Sequence, residues 1–181
     1  RRQLSRPAGA GGTPGLIEGL VGVFAELARD GLRVRLDAVD SSVAYHARRP
    51  DGERDGVTAR RRAALLAATR EALRNVLKHS GVAEALLRVE ADADGAAAGV
   101  PGLTVTVRDF GVGFDPAVHR PGFGLSESVT ARMAEVGGTA TVRARPGHGT
   151  AVVLWVPAAG SAGGRAVRPA GPNLSQDPDP F

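Results

Sequence analysis

The chain has 181 residues, and its 23 basic and 19 acidic residues are interspersed, so we expect no nucleic-acid partner. A hydrophobic content of 43% suffices for one core, and the absence of cysteine excludes disulfides and cysteine-ligated metals. No apolar run approaches the roughly 20 residues of a membrane span, and no signal peptide is visible. We expect a cytoplasmic fragment without membrane contact of its own, either from a cytoplasmic protein or from the cytoplasmic part of a membrane-anchored one. Because the chain starts Arg-Arg, without a methionine, we expect it to be part of a longer protein.

The first part of the chain predicts a linker, a helix and a strand. Residues 1–13 are rich in Arg, Gly and Pro and have no periodicity, as expected of a flexible linker. From Pro14 the apolar residues recur at spacings of three and four, which predicts a helix that ends at Gly31. Residues 32–36 alternate Leu-Arg-Val-Arg-Leu, which predicts a half-buried strand.

A second helix follows a long polar loop over residues 40–57. Thr58 can cap its N-terminus and Gly81 ends it, so the helix is predicted to run to about Ser80. Its apolar side consists of Leu65, Ala68, Ala72, Leu73, Val76 and Leu77.

The second half of the chain predicts four strands and one more helix. Strands are expected at residues 85–91 and 103–108, then a helix with Val129, Met133 and Val136 inward, and finally a hairpin of residues 139–145 and 151–156. Residues 158–181 are rich in Gly, Pro, Ala and Asp and are expected to be a disordered tail. The order of elements predicts an α+β two-layer sandwich over residues 14–157, in which helices cover one face of a mixed β-sheet.

The second helix carries a polar stripe. The single lysine of the chain, against 22 arginines, lies there, and at about 100° per residue Glu71, Asn75, Lys78 and His79 share one side. An amide oxygen together with phosphate oxygens can hold Mg²⁺, and a carboxylate one turn away can hold or deprotonate a water of the metal shell. A lysine and a histidine can contact phosphate. The alternative is a solvated helix face in which Glu71 pairs with Arg74 or Lys78.

Three further stretches carry candidate chemistry. In Asp109-Phe-Gly-Val-Gly a buried carboxylate could accept a hydrogen bond from the exocyclic amine of adenine, although the stretch could also be a glycine-rich turn. Gly122-Phe-Gly-Leu125 opens a helix and could bind a triphosphate through its free N–H groups, or could be a flexible helix entry. For Gly147-His-Gly-Thr150, taken alone, a tight turn with His148 exposed is the favoured interpretation.

Taken together, the four stretches resemble the N, G1, G2 and G3 boxes of the GHKL ATPase superfamily, in their order and spacing. The resemblance covers roughly residues 14–157 and implies the Bergerat fold with ATP and Mg²⁺ as ligands. It implies that Asn75 ligates Mg²⁺ and that Glu71 is the catalytic residue, which orients or activates a water in the metal shell. The other implied ATP contacts are Lys78 and His79 near the phosphates, Asp109 on the adenine amine with Gly111 and Gly113 shaping its slot, Gly122, Gly124 and Leu125 around the phosphates, and Thr150 on the adenine side.

Finer details resemble one branch, the sensor histidine kinases that pair with NarL-type response regulators. The segment Glu-Ala-Leu-Arg-Asn-Val-Leu-Lys-His starting at Glu71 and the short interval from Gly113 to Gly122 carry this similarity. The resemblance implies a protein-histidine kinase that delivers phosphate to a histidine on a dimerisation domain, with the response regulator contacted through the full-length protein.

None of the four histidines of this chain has the context of a phosphoacceptor, so the dimerisation domain is expected to lie outside it. The fragment is then expected to bind ATP without phosphorylating itself. Two other functions stay open: a stand-alone kinase of the anti-sigma-factor type that phosphorylates serine, and a catalytically silent, nucleotide-gated interaction module.

Overall fold

The computed structural model describes residues 15–39, 57–92, 100–115 and 125–159. In chain order the elements are α1 (Leu16–Arg29), β1 (Arg33–Val39), α2 (Ala59–Asn75), a π-helical turn (Val76–Ser80), β2 (Glu84–Asp92), β3 (Gly102–Arg108), α3 (Leu125–Ala134), β4 (Thr139–Arg145) and β5 (Gly149–Pro157). The predicted linker, nearly all of the predicted loop at 40–57 and nearly all of the predicted tail lie outside the described residues.

The five strands form one mixed sheet in the order β1-β2-β3-β5-β4. β1 and β2 are parallel, because α2 returns the chain to the same end of the sheet between them, and the other three pairs are antiparallel. The predicted C-terminal hairpin is present as β4 and β5. The mixed sheet with its helices confirms the predicted α+β architecture.

The helices pack on one face of the sheet. Along the central strands alternate residues are buried, and α2 contacts α1, α3, β3 and β5. The inward positions of these strands include Leu87, Val89, Val105, Val107, Leu154 and Val156, each at most 1% exposed. α2 therefore lies at the centre of the helical layer, and its C-terminal end reaches one end of the sheet. None of the helices in the described ranges is long and apolar enough to cross a membrane.

The end of α1 follows from the glycine predicted there. Gly31 has a φ of 93°, and its N–H donates to the carbonyl of Ala28 at 3.1 Å. The N–H of Leu32 donates to the carbonyl of Leu27 at 3.0 Å, which completes a Schellman motif with Asp30 as the C-cap. This turn directs the chain into β1.

α2 begins at the predicted cap but changes geometry before its predicted end. The side chain of Thr58 accepts a hydrogen bond from the N–H of Arg61 at 3.3 Å. The α-helical geometry ends at Asn75, and the last turn is π-helical before Gly81, whose φ is 76°. Within this wider turn the hydroxyl of Ser80 donates to the carbonyl of Val76 at 2.6 Å.

Two strand residues depart from the simple alternation of buried and exposed positions, and one residue of the predicted loop is buried. Leu36, expected in a half-buried strand, is 47% exposed. Trp155 is only 4% exposed although it lies on the sheet face opposite the helices, in register with Thr104 of β3 and Thr139 of β4. Val57, predicted in the polar loop, is buried in the core immediately before the cap of α2.

Candidate functional site

Three of the four predicted stretches meet at one end of the sheet. The N–H of Val112 donates to the carbonyl of Ser80 at 2.8 Å, which joins the loop after β3 to the end of α2. The N–H of Asp109 donates to the carbonyl of Thr150 at 2.9 Å, and the N–H of Gly147 donates to the carbonyl of Val112 at 2.7 Å. The loop after β3 is therefore held between the π-helical turn and the β4–β5 hairpin.

The close approach of these backbones requires glycine at two positions of the loop. A Cβ at Gly111 would clash with the carbonyl oxygen of Ser80, and one at Gly113 would clash with that of Arg145. Gly113 also has a φ of 55°, which favours glycine. The structure thus gives both glycines a packing role.

Asp109 is a buried carboxylate at the centre of this arrangement. It is 4% exposed, and its Oδ1 accepts a hydrogen bond from the N–H of Gly111 at 2.9 Å. Burial raises the pKa of the Asp109 carboxyl, while backbone hydrogen bonds from Gly111 and Thr150 and the nearby charge of Arg108 act in the opposite direction. The N–H donors fix the orientation of a carboxylate that can accept a hydrogen bond from a ligand. Thr150 is half-buried, next to it.

Asn75 and Glu71 lie together at the end of α2. The amide nitrogen of Asn75 donates to the backbone carbonyl of Glu71 at 2.8 Å and approaches its Oε1 at 3.4 Å. With the nitrogen turned back toward the helix, the amide oxygen is the atom left to meet a ligand. This donor set fits Mg²⁺, which is bound through few protein oxygens plus phosphate and water. Within the described ranges no group of three or more His, Asp or Glu residues could hold a metal ion by itself.

The ion pairs around Glu71 differ from the alternative considered for this helix. Arg74 binds Glu26 of α1 at 2.9 Å, and none of the ion pairs between described residues joins Glu71 to Arg74 or Lys78. The pairs that the alternative of a solvated helix face expected for Glu71 are therefore not formed among the described residues.

Lys78 and His79 are exposed and lie on the π-helical turn. Because this turn is wider than an α-helical one, the spacing of about 100° per residue that placed them on one stripe with Asn75 does not hold there. Their contact with phosphate stays a prediction.

The fourth stretch is only partly described. Leu125 is the first residue of α3, so a helix begins where it was predicted. Gly122 and Gly124 lie outside the described residues, and the anion site at this helix entry stays a prediction.

Two residues of this region were not singled out from the sequence. Ser80 is 5% exposed, its hydroxyl accepts a hydrogen bond from the N–H of Val82 at 3.0 Å, and its carbonyl holds Val112. A serine directly before the helix-ending Gly81 is the signal that could have found it. Glu26, which binds Arg70 and Arg74 of α2, gives no local signal because its partners are far away in the sequence.

Comparison with known proteins identifies the family. The family described as histidine kinase-, DNA gyrase B- and HSP90-like ATPase (HATPase_c) matches residues 61–160, more than half of the chain. No curated protein matches the chain.

Similar solved structures include the ATP-binding domain of PrrB from Mycobacterium tuberculosis, with a TM-score of 0.53 and 21% identity over 80% of this chain and 95% of that one. The histidine kinase domain of the blue-light-activated kinase EL346 from Erythrobacter litoralis has a TM-score of 0.51 and 20% identity over 79% of this chain. This chain covers 63% of that domain. At such identities the likeness shows a shared fold. The chain belongs to the family of histidine kinase-, DNA gyrase B- and HSP90-like ATPases, with the GHKL fold.

Proposed function

We propose that this chain is the ATP-binding catalytic domain of a sensor histidine kinase, over residues 14–157. It would position Mg·ATP for phosphoryl transfer to a histidine on a dimerisation domain. One observation carries the proposal: Asn75, with its amide oxygen turned outward beside Glu71, is linked through Ser80 to the loop that holds the buried Asp109. In this proposal the amide of Asn75 would bind the metal at one side of the site, and the carboxylate of Asp109 would bind adenine at the other.

At the adenine side, the carboxylate of Asp109 would accept a hydrogen bond from the exocyclic amine. The N–H groups of Gly111 and Thr150 hold this carboxylate in place, and its burial keeps water from competing for it. The missing side chains of Gly111 and Gly113 let the loop pack against α2 and the hairpin, which shapes the slot.

At the phosphate side, Mg²⁺ when bound would neutralise phosphate charge, and the amide oxygen of Asn75 would hold it. Glu71 would orient a water of the metal shell or take a proton from it. Lys78, His79 and the N–H groups from Gly122 to Leu125 would contact the phosphates. Phosphoryl transfer needs positioning and charge neutralisation more than covalent help, and these groups supply both.

The assignment to one branch of the histidine kinases rests on the amino-acid sequence. The sequence from Glu71 to His79 and the short interval between Gly113 and Gly122 support the branch that pairs with NarL-type response regulators. The partners would then be the dimerisation domain and, through the whole protein, such a regulator, all in the cytoplasm.

The test is a titration of the chain with ATP and ADP by isothermal calorimetry, with and without Mg²⁺. We expect wild-type binding, at least a roughly tenfold loss of Mg²⁺-dependent affinity in Asn75→Ala, and loss of binding in Asp109→Asn under both conditions, since buried charge-assisted contacts each contribute about 1.5–3 kcal/mol. An isolated dimerisation domain is then supplied as acceptor, and Asn75→Ala should abolish transfer to its histidine.

Absence of wild-type binding at millimolar nucleotide would overturn the proposal. Wild-type binding without any transfer to the supplied histidine would instead support a silent, nucleotide-gated module.

A further inference from the structure

A cluster of three charged side chains joins α1 to α2 beside the site. Glu26 of α1 binds Arg70 at 3.1 Å through one carboxylate oxygen and Arg74 at 2.9 Å through the other. The two arginines directly precede Glu71 and Asn75 in the sequence. One glutamate of α1 thus holds the two cations that flank the polar residues of the site.

This cluster contributes little to stability. The three side chains are between 36% and 45% exposed, and ion pairs at such exposure are worth little because water screens them. The cluster matters instead because it determines where the side chains of the two arginines lie. Arg74 is three residues after Glu71, a spacing at which side chains of one helix meet, so Glu71 is the acid on its own helix that Arg74 can reach.

We propose that Glu26 is a positioning residue, which holds Arg74 away from Glu71 and so keeps the Glu71 carboxylate available beside Asn75. The inference rests on the proposed function, because it concerns the role of Glu71 at the metal. In the structure the amide nitrogen of Asn75 approaches the carboxylate of Glu71 at 3.4 Å, while the guanidinium of Arg74 binds Glu26 of α1.

The proposal predicts opposite effects on two affinities when Glu26 is neutralised. In Glu26→Gln the released Arg74 pairs with Glu71, which occupies the carboxylate and places a cation near the metal position. Binding of Mg·nucleotide then weakens. The two uncompensated arginines attract the free nucleotide, so its affinity without Mg²⁺ stays constant or increases.

The experiment measures the Kd of the whole chain for ADP by isothermal calorimetry, with excess Mg²⁺ and with EDTA. We expect the ratio of the two affinities to fall about threefold in Glu26→Gln, because the released Arg74 both occupies Glu71 and adds a cation near the metal position. Arg74→Gln breaks the same contact with Glu26 but leaves Glu71 free, so its ratio should stay at the wild-type value. The double variant Glu26→Gln/Arg74→Gln should regain most of the wild-type ratio.

Glu18→Gln is the matched control, since it removes the same charge from the same helix two turns away, and its ratio should not change. If Glu26 only attached α1 to α2, Glu26→Gln and Arg74→Gln would weaken both affinities alike and the double variant would rescue nothing, which overturns the proposal. A wild-type chain that binds ADP without any Mg²⁺ effect would instead refute the proposed metal site.

Discussion

Among single residues, Asp109 shows the clearest conflict between stability and function. Its burial raises the pKa of the carboxyl above the ordinary value of 3.8, because the charged form loses hydration, and hydrogen bonds from two N–H groups offset only part of this effect. The proposed contact with adenine nevertheless favours the charged form, because a carboxylate is a stronger hydrogen-bond acceptor than a neutral carboxyl group. The chain therefore keeps a carboxylate where the fold alone would favour a neutral group.

The pH dependence of stability follows from this shift. A group whose pKa is higher in the folded state contributes stability that is fully present below 3.8 and is lost as the pH rises through the folded pKa. The free energy of unfolding of the wild type, compared with Asp109→Asn, should therefore decrease as the pH rises through that pKa toward neutrality. Urea unfolding of both proteins over a series of pH values measures the difference. A difference that does not vary with pH would contradict the burial argument.

The ADP affinity of the wild type should follow the same titration in the opposite sense. The charged carboxylate accepts the adenine amine more strongly than the neutral group does, so ADP binding should weaken as the pH falls through the raised pKa. With an unshifted aspartate pKa this weakening would begin at a lower pH. Calorimetric titrations at several pH values in one buffer series, with the nucleotide's own protonation subtracted, measure this effect.

At the level of elements, the β4–β5 hairpin is shaped by the loop that it supports. Gly147 and Gly149 have φ values of 76° and 82°, so both favour glycine. They differ in surroundings: a Cβ at Gly147 would meet open space, whereas one at Gly149 would clash with the carbonyl of Asp109. A side chain at Gly149 would thus disturb the site directly, whereas Gly147 contacts the loop through its N–H, which donates to the carbonyl of Val112 and which an alanine would keep.

A pair of alanine variants separates these two contributions. Gly147→Ala should lower the free energy of unfolding by about 1–2 kcal/mol, the cost of a left-handed conformation for a residue with a side chain. Gly149→Ala should cost clearly more, because the backbone of Asp109 must move, and it alone should weaken ADP binding. Chemical unfolding and calorimetry of both variants give the comparison, and equal losses of stability would show that the contact with Asp109 carries no energy.

The elements differ in how far the sequence could predict them. Local signals sufficed where the deciding contacts are local, as at the end of α1, where Gly31 closes a Schellman motif, and in the hairpin of β4 and β5. The π-helical turn could not be predicted, because Val76 and Leu77 continue the apolar pattern of an α-helix. Contacts of Ser80 with Val82 and with the loop after β3 accompany its wider geometry.

The same distinction between local signals and contacts of distant residues holds for the candidate site. Residue types and spacing were enough to propose Asn75, Glu71 and Asp109, and the structure brings the stretches that carry them together. The partner of Arg74 could not be read from the sequence, because Glu26 lies 48 residues away and Glu71 is the nearer acid. Ion pairs between helices depend on packing that no local pattern contains.

At the scale of the whole molecule, one core connects α1 to the last strand. The buried apolar residues run from Leu16 to Val156, and Arg61 ties the start of α2 to the chain after α3 and after β5 through the carbonyls of Val136 and Ala158. α1 belongs to this core, since Leu16, Leu20, Val23 and Leu27 are each at most 3% exposed. We therefore place the N-terminal limit of the folding unit before α1.

Truncation tests this limit. A chain of residues 14–159 keeps every core residue found among the described residues, and it keeps the contacts of Arg61. Its thermal midpoint should therefore lie within about 2 °C of that of the whole chain, a change of less than about 1 kcal/mol, and its ADP affinity should be unchanged. A chain of residues 30–159 loses four buried side chains worth about 1.5–3 kcal/mol each, which together approach the whole stability of a typical domain, so it should not fold. Circular dichroism and calorimetry distinguish the two. If the shorter chain folded and still bound ADP, α1 would be a separate element, and Glu26 could not control Arg74 in the way proposed.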